Sequence, residues 1–158
     1  MKIKNTEFES LDKYDGWFVS GGAEDYESVE KKALTMQREA LAKGFYCVCG
    51  AVGGEGHRLY LVPQRGVRYI IETFEVGSKD GIEPESVYSE ISEADASNPL
   101  IPYFADGAGL KAKFSEPVTD ELLTVLDESL SSVEPMMDDD GEIRPYIKKQ
   151  NGIHLWWD

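Results

Sequence analysis

The stretch FYCVCGAVGGEGHRLYLV, Phe45 to Val62, decides how the rest of the chain is read. Phe45 to Val52 and Leu59 to Val62 are apolar on both faces of an extended chain, with Gly53, Gly54 and Gly56 between them. Two such runs around a glycine-rich loop predict a β-hairpin, and strands apolar on both faces belong at the centre of a sheet. The following run, VRYIIETFEV from Val67 to Val76, is rich in β-branched and aromatic residues. Its composition predicts a third strand and an antiparallel meander over 45–76.

Upstream, Trp17 to Val19 reads as a short strand ended by Gly21 and Gly22. Tyr26, Val29, Ala33, Met36 and Ala40 then recur at the alternating spacing of one helix face, so a helix is expected from about Glu24. Gly44 stands where a left-handed C-terminal residue belongs, and Lys43 complements the negative end of the helix dipole. Downstream, Asp80-Gly81 marks a turn, and Pro84 opens a helix that stops before Pro99. LIPYFADGAGLKAKF reads as a connector, punctuated by proline and glycine, that ends in a strand over 110–114. Thr119 or Asp120 caps a third helix, whose apolar stripe is Leu122, Leu123, Val125, Leu126 and Leu130. In IRPYIKKQNGIHLWWD, Asn151-Gly152 lies between two strand-like runs and predicts a C-terminal hairpin. The expected architecture is a single α+β domain over 1–158: an antiparallel sheet, built from the 45–76 meander and the C-terminal hairpin, with about three helices packed on it.

Charge is where the composition departs from the average, with 30 acidic residues against 16 basic and a net charge of −14. The excess is local. Between Asp80 and Glu142 there are 17 acidic residues and only two basic ones, Lys111 and Lys113, while Ser115 to Glu142 has ten carboxylates and no lysine or arginine. A field of that sign repels phosphate backbones and anionic lipid headgroups, which argues against nucleic acid and membrane surfaces as partners. The opening MKIKNTEFES has no apolar h-region, and no run approaches the ~20 apolar residues of a membrane span. A cytoplasmic location is therefore the expectation, and two cysteines are too few for a disulfide scaffold.

Several local patterns invite a chemical reading and fail it. VSGGAED has the strand, glycine pair and helix start of an anion site, but Glu24, Asp25 and Glu27 already complement the helix, and no Gly-Lys-Ser/Thr follows. Ser20 lacks the glycine two residues earlier that a nucleophile elbow needs, since that position is Phe18. Cys47 and Cys49 share one strand face, and His57 joins them if the hairpin register has the right parity. Three zinc ligands still leave a fourth to find, so the thiols are read as core. In MMDDDGEI, Asp138, Asp140 and Gly141 match an EF-hand loop, but Met136 and Ile147 occupy the first and last ligand positions. Arg58, Arg65 and Arg68 form the local basic cluster and are read as pairing with the acidic segment of the same molecule.

No enzyme motif survives, and no cofactor or metal is expected. The expected function is that of a small acidic protein-binding module, of the inhibitor, antitoxin or immunity-protein kind, that captures a basic protein partner. Complementary charge steers such encounters. The candidate contact residues are Glu116, Asp120, Glu121, Asp127, Glu128, Asp138, Asp139, Asp140 and Glu142, with Trp157 as an aromatic anchor. The alternative is a small-molecule-binding domain with an apolar pocket, walled by the hairpin and LIPYFADGAG.

Overall fold

A computed structural model describes residues 1–22, 24–52, 56–130 and 143–157. The hairpin forms as its sequence predicts: β4 (Phe45–Gly50) and β5 (Arg58–Pro63) pair antiparallel, with Cys49 opposite Leu59 and Gly50 opposite Arg58. Strand alternation sends Tyr46, Val48, Tyr60 and Val62 to one face and Cys47, Cys49, Leu59 and Leu61 to the other. All eight are buried, because helices cover both faces.

The remaining strands are β1 (Lys2–Ile3), β2 (Thr6–Ser10), β3 (Phe18–Ser20), β6 (Leu100–Asp106), β7 (Gly109–Phe114) and β8 (Gly152–Trp156). They complete an eight-stranded sheet in the order β1-β2-β3-β5-β4-β6-β7-β8. The sheet is mixed rather than antiparallel, because β4 and β6 run parallel. Helix α1 (Tyr26–Ala42) covers one face and buries Val29, Ala33, Met36 and Ala40 against the cysteine side of the hairpin. Asp25 accepts from the Ser28 N–H at its start, and Gly44, at φ 88°, follows its end. On the opposite face lie α2 (Val67–Thr73), α3 (Pro84–Ser97), α4 (Asp120–Ser129) and Ile147 of α5 (Ile143–Gln150).

Among the described residues five α-helices stand where about three were expected, and the differences have local causes. The run taken for a third strand is α2. Its Val67, Ile70, Ile71 and Phe74 are spaced i, i+3, i+4, i+7 and all are buried, so a helical stripe outweighs β-rich composition. With a helix there, the chain crosses one sheet face through α2 and α3 and returns as β6, parallel to β4. The expected C-terminal hairpin is instead α5 followed by β8. Asn151, at φ 49°, turns helix into strand, while its side chain accepts from Val118 N–H and donates to the Phe114 and Glu116 carbonyls. LIPYFADGAGLKAKF is not a connector: it is the β6–β7 hairpin, whose turn is closed by Asp106 Oδ1 accepting from Ala108 N–H (2.8 Å) and Gly109 N–H (2.9 Å). The helices expected from Pro84 and Thr119 are α3 and α4, and Thr119 caps the Leu122 N–H. Among the described residues no helix is long and apolar enough to cross a membrane.

Candidate functional site

The described part of the acidic segment falls largely on one helical layer. Helix α4 packs against α3, and the exposed carboxylates of Glu83, Glu85, Glu93, Asp120, Glu121 and Glu128 lie on these two helices and their N-terminal flanks. Glu116 is exposed beside them, with its carbonyl accepting the Asn98 amide. Asp127 is ion-paired to Arg144 of α5. The two lysines of the segment are turned away. Leu110, Ala112 and Phe114 of β7 face the α2–α4 core, so Lys111 and Lys113 alternate to the α1 face. There Lys111 pairs with Glu30 (2.6 Å), and Lys113 Nζ donates to the Gln150 carbonyl (2.7 Å). The α3–α4 layer is thus left with carboxylates and without the two cations its sequence neighbourhood supplies.

Asp138, Asp139, Asp140 and Glu142, together with the calcium-loop resemblance, lie outside the described residues. Trp157 is a correction: it is only 6% exposed and joins the core with Ile153 and Leu155, because alternate residues of the β8 segment face the helices. Trp156, of opposite parity, is the half-buried one. Two of the three arginines, Arg65 and Arg68, form their ion pairs outside the acidic segment. Arg65 meets Asp15 (3.3 Å), and Arg68 meets Glu72 one turn along α2 (2.9 Å).

A second feature was not legible as a site. The observed register places His57 on the cysteine side of the hairpin, and β6 brings it a partner through a β-bulge. Pro102 pairs with Ala112 and Phe104 with Lys111, so Tyr103 is an extra residue. That insertion reverses the facing of everything after it. Phe104 turns to the α1 side, where its ring stacks on His57 (5.6 Å between centroids), and Asp106 follows with the same parity. His57 Nε2 lies 3.0 Å from Asp106 Oδ2. Burial pushes the Asp106 carboxyl up, but the His57 bond and the Ala108 and Gly109 N–H groups outweigh it and hold the carboxyl below its ordinary value. With Asp106 ionised, Nε2 carries the shared proton, and Nδ1 has no hydrogen-bond partner among the described residues.

The pair lies at the wall of a cleft of about 750 Å³ outside the carboxyl ends of β4 and β6. Loops from four parts of the chain build it, contributing Lys13 and Tyr14, Val52, Glu75 with Ser78 and Lys79, and Gly107. Gly50 lets these walls close: a Cβ there would stand 2.4 Å from Phe74 Cε1 and 2.8 Å from the Ala105 carbonyl oxygen. The lining of this cleft is charged and polar. A separate, mainly apolar groove of about 410 Å³ lies between α1 and β6, lined by Leu34 and Leu41 and by Ile101 and Tyr103 of the stretch expected to wall an apolar pocket.

The other sequence patterns resolve into structure. Cys47 and Cys49 are free and buried, and burial pushes both thiols up to about 12, with Glu30 and Asp106 adding to the effect at Cys49. Among the described residues no group of three or more His, Cys, Asp or Glu side chains is placed to hold a metal. Ser20 is buried, and its hydroxyl accepts from the Leu59 N–H. The Asp106-Gly107 dipeptide, a hairpin-turn signal, was the available clue to the Asp106 position. Nothing local announces its contact with His57, which lies 49 residues away. No family model, curated protein or solved structure matches the chain.

Proposed function

We propose that this protein is a small acidic protein-binding module, of the inhibitor, antitoxin or immunity-protein kind, whose α3–α4 layer captures a basic partner. The observation that carries this reading is the one-signed charge of α3 and α4, which carry carboxylates and no lysine or arginine, while Lys111 and Lys113 between them are spent on the α1 face. A uniformly solvated surface has no need of that sorting, since mixed charges keep a protein soluble equally well. A one-signed face accelerates encounter with a basic surface and disfavours acidic competitors. Exposed carboxylates contribute little to stability, so they can be reversed without unfolding the domain.

The test is capture of proteins from the native host's lysate by the tagged chain and by a Glu93→Lys/Glu121→Lys/Glu128→Lys variant. The expected outcome is a basic protein retained by the wild type at low salt, released at high salt and absent from the variant, with matching circular dichroism of the two baits. Retention of the same proteins by both baits would remove the α3–α4 layer from the interface.

A further inference from the structure

The groove between α1 and β6 lies apart from the acidic layer, on the sheet face that α1 covers. Helix α1 buries Val29, Ala33, Met36 and Ala40, and a second stripe, Leu34, Gln37, Arg38 and Leu41, runs along the groove at i, i+3, i+4, i+7. Leu34 is 41% exposed, one of three large apolar side chains left open among the described residues. The opposite wall comes from the β6 bulge. The extra residue sets Tyr103 beside Phe104 on the α1 side, while Ile101 lines the groove opposite Lys113 of β7 in register.

The side-chain polar capacity left in this groove is donors. Gln37 is fully engaged, since its Oε1 accepts from Cys47 N–H and its Nε2 donates to the Cys47 and Pro102 carbonyls. Arg38 is exposed and makes no hydrogen bond or ion pair among the described residues. Lys113 Nζ donates to the Gln150 carbonyl (2.7 Å) and Oε1 (3.3 Å), which leaves one of its three N–H groups. Burial pulls that ammonium below its ordinary value, with Glu30 opposing the effect. Tyr103 is only 8% exposed, and its hydroxyl has no hydrogen-bond partner among the described residues. Among the described residues no carboxylate lines the groove, and Glu30, whose field reaches both Lys113 and Tyr103, is engaged by Lys111 (2.6 Å). In a chain of net charge −14, two cations beside an apolar wall are a local reversal of sign.

We propose that this groove binds an aliphatic monocarboxylate, its chain lying on Leu34, Leu41 and Ile101 and its carboxylate held by Arg38, Lys113 and the Tyr103 hydroxyl. Apolar walls with a few convergent polar groups are the make-up of a small-ligand site, and about 410 Å³ is within the range of such sites. Guanidinium and ammonium donors bind a carboxylate through charge-assisted hydrogen bonds, the stronger class. A second copy of the chain docked symmetrically here would set Arg38 and Lys113 against their own counterparts, like charge on like charge, which favours the small anion as occupant.

The experiment titrates the full chain by calorimetry with decanoate below its micelle-forming concentration. Acetate, which keeps the head without the chain, and decyltrimethylammonium, which keeps the chain with the opposite charge, are titrated in parallel. Saturable binding of decanoate and of neither control is expected. Arg38→Glu should weaken it at least about tenfold, as the loss of a charge-assisted contact predicts, whereas Lys31→Glu, the same charge change elsewhere on α1, should leave it within about twofold. Leu34→Ser should weaken it several-fold by removing part of the apolar wall. All three side chains are exposed, so these variants test binding rather than folding. The proposal is overturned by equal affinity for decanoate and decyltrimethylammonium, by equal affinity in Arg38→Glu and the wild type, or by no saturation with decanoate. A dimer in sedimentation that Leu34→Ser breaks would give the groove to a second copy and overturn it as well.

Discussion

His154 shows how a single buried group sets a stability window. It lies on β8 opposite Lys111, is only 8% exposed, and its Nε2 is buried without a hydrogen-bond partner. Burial, then the Lys111 ammonium, pulls the imidazole down from its ordinary 6.5 to about 4. The folded protein therefore holds His154 neutral where the unfolded chain protonates it. The unfolded state binds the extra proton between about pH 6.5 and pH 4, so stability falls as pH falls through that window, is fully present above it and is flat below it. The expected loss is on the order of 2 kcal/mol. Carboxylate protonation overlaps at the acid end, so the measurement is a difference: urea unfolding of wild type and His154→Gln at pH 7 and pH 4.5. The wild type should lose more stability than the variant over that interval, and parallel losses would mean His154 is solvated.

At the scale of elements, the join between β4 and β6 depends on one helix residue. Their parallel pairing covers only Cys49 with Phe104 and Gly50 with Ala105, and Pro102 upstream has no N–H to offer. Gln37 of α1 fills the gap. Its Oε1 accepts from Cys47 N–H (2.7 Å), and its Nε2 donates to the Cys47 and Pro102 carbonyls (3.1 and 2.9 Å). Gln37→Ala leaves three backbone groups unpaired at the sheet's one parallel seam and is expected to destabilise by about 2–4 kcal/mol. Chemical denaturation should show a lower midpoint, and Gln37→Glu should fail to rescue it, because a carboxylate cannot donate to either carbonyl. A change within about 0.5 kcal/mol would place water in the seam instead. The same elements show what sequence can carry. Helix α1, the β4–β5 hairpin, α3 and α4 were legible because their signals are local: heptad-like spacing, a glycine loop, Pro84 and the Thr119 cap. In α2 the two local signals conflict: its β-branched composition suggests a strand, and its i, i+3, i+4, i+7 spacing of buried residues decides for the helix. The His57–Asp106 pair was not legible at all, since it needs the β4–β6 pairing and a one-residue bulge at Tyr103, neither of which has a local signature.

For the whole molecule, the unmatched charge is unevenly placed: α3 and α4 carry carboxylates and no lysine or arginine. With 30 acidic and 16 basic residues, at least 14 carboxylates have no countercharge wherever the side chains lie. The two lysines that lie between the acidic helices in sequence, Lys111 and Lys113, are on the far face, so the repulsion concentrates over α3 and α4. Two salt effects then compete. Ion pairs such as Lys32–Glu24 and Arg65–Asp15 are exposed and weaken as salt rises, but pairs of that kind contribute little to begin with. Repulsion among unmatched carboxylates is longer in range, and raising salt from 0.01 M to 0.15 M shortens the screening length from about 30 Å to about 8 Å. Repulsion should dominate, so stability is expected to rise over that range by an amount on the order of 1 kcal/mol. The Glu93→Lys/Glu121→Lys/Glu128→Lys variant moves the net charge from −14 to −8, and its rise should be visibly smaller. Thermal unfolding of both proteins across the salt series checks this. Equal slopes would mean that the unmatched charge is spread around the molecule, and the α3–α4 layer would then have no more claim on a basic partner than any other face.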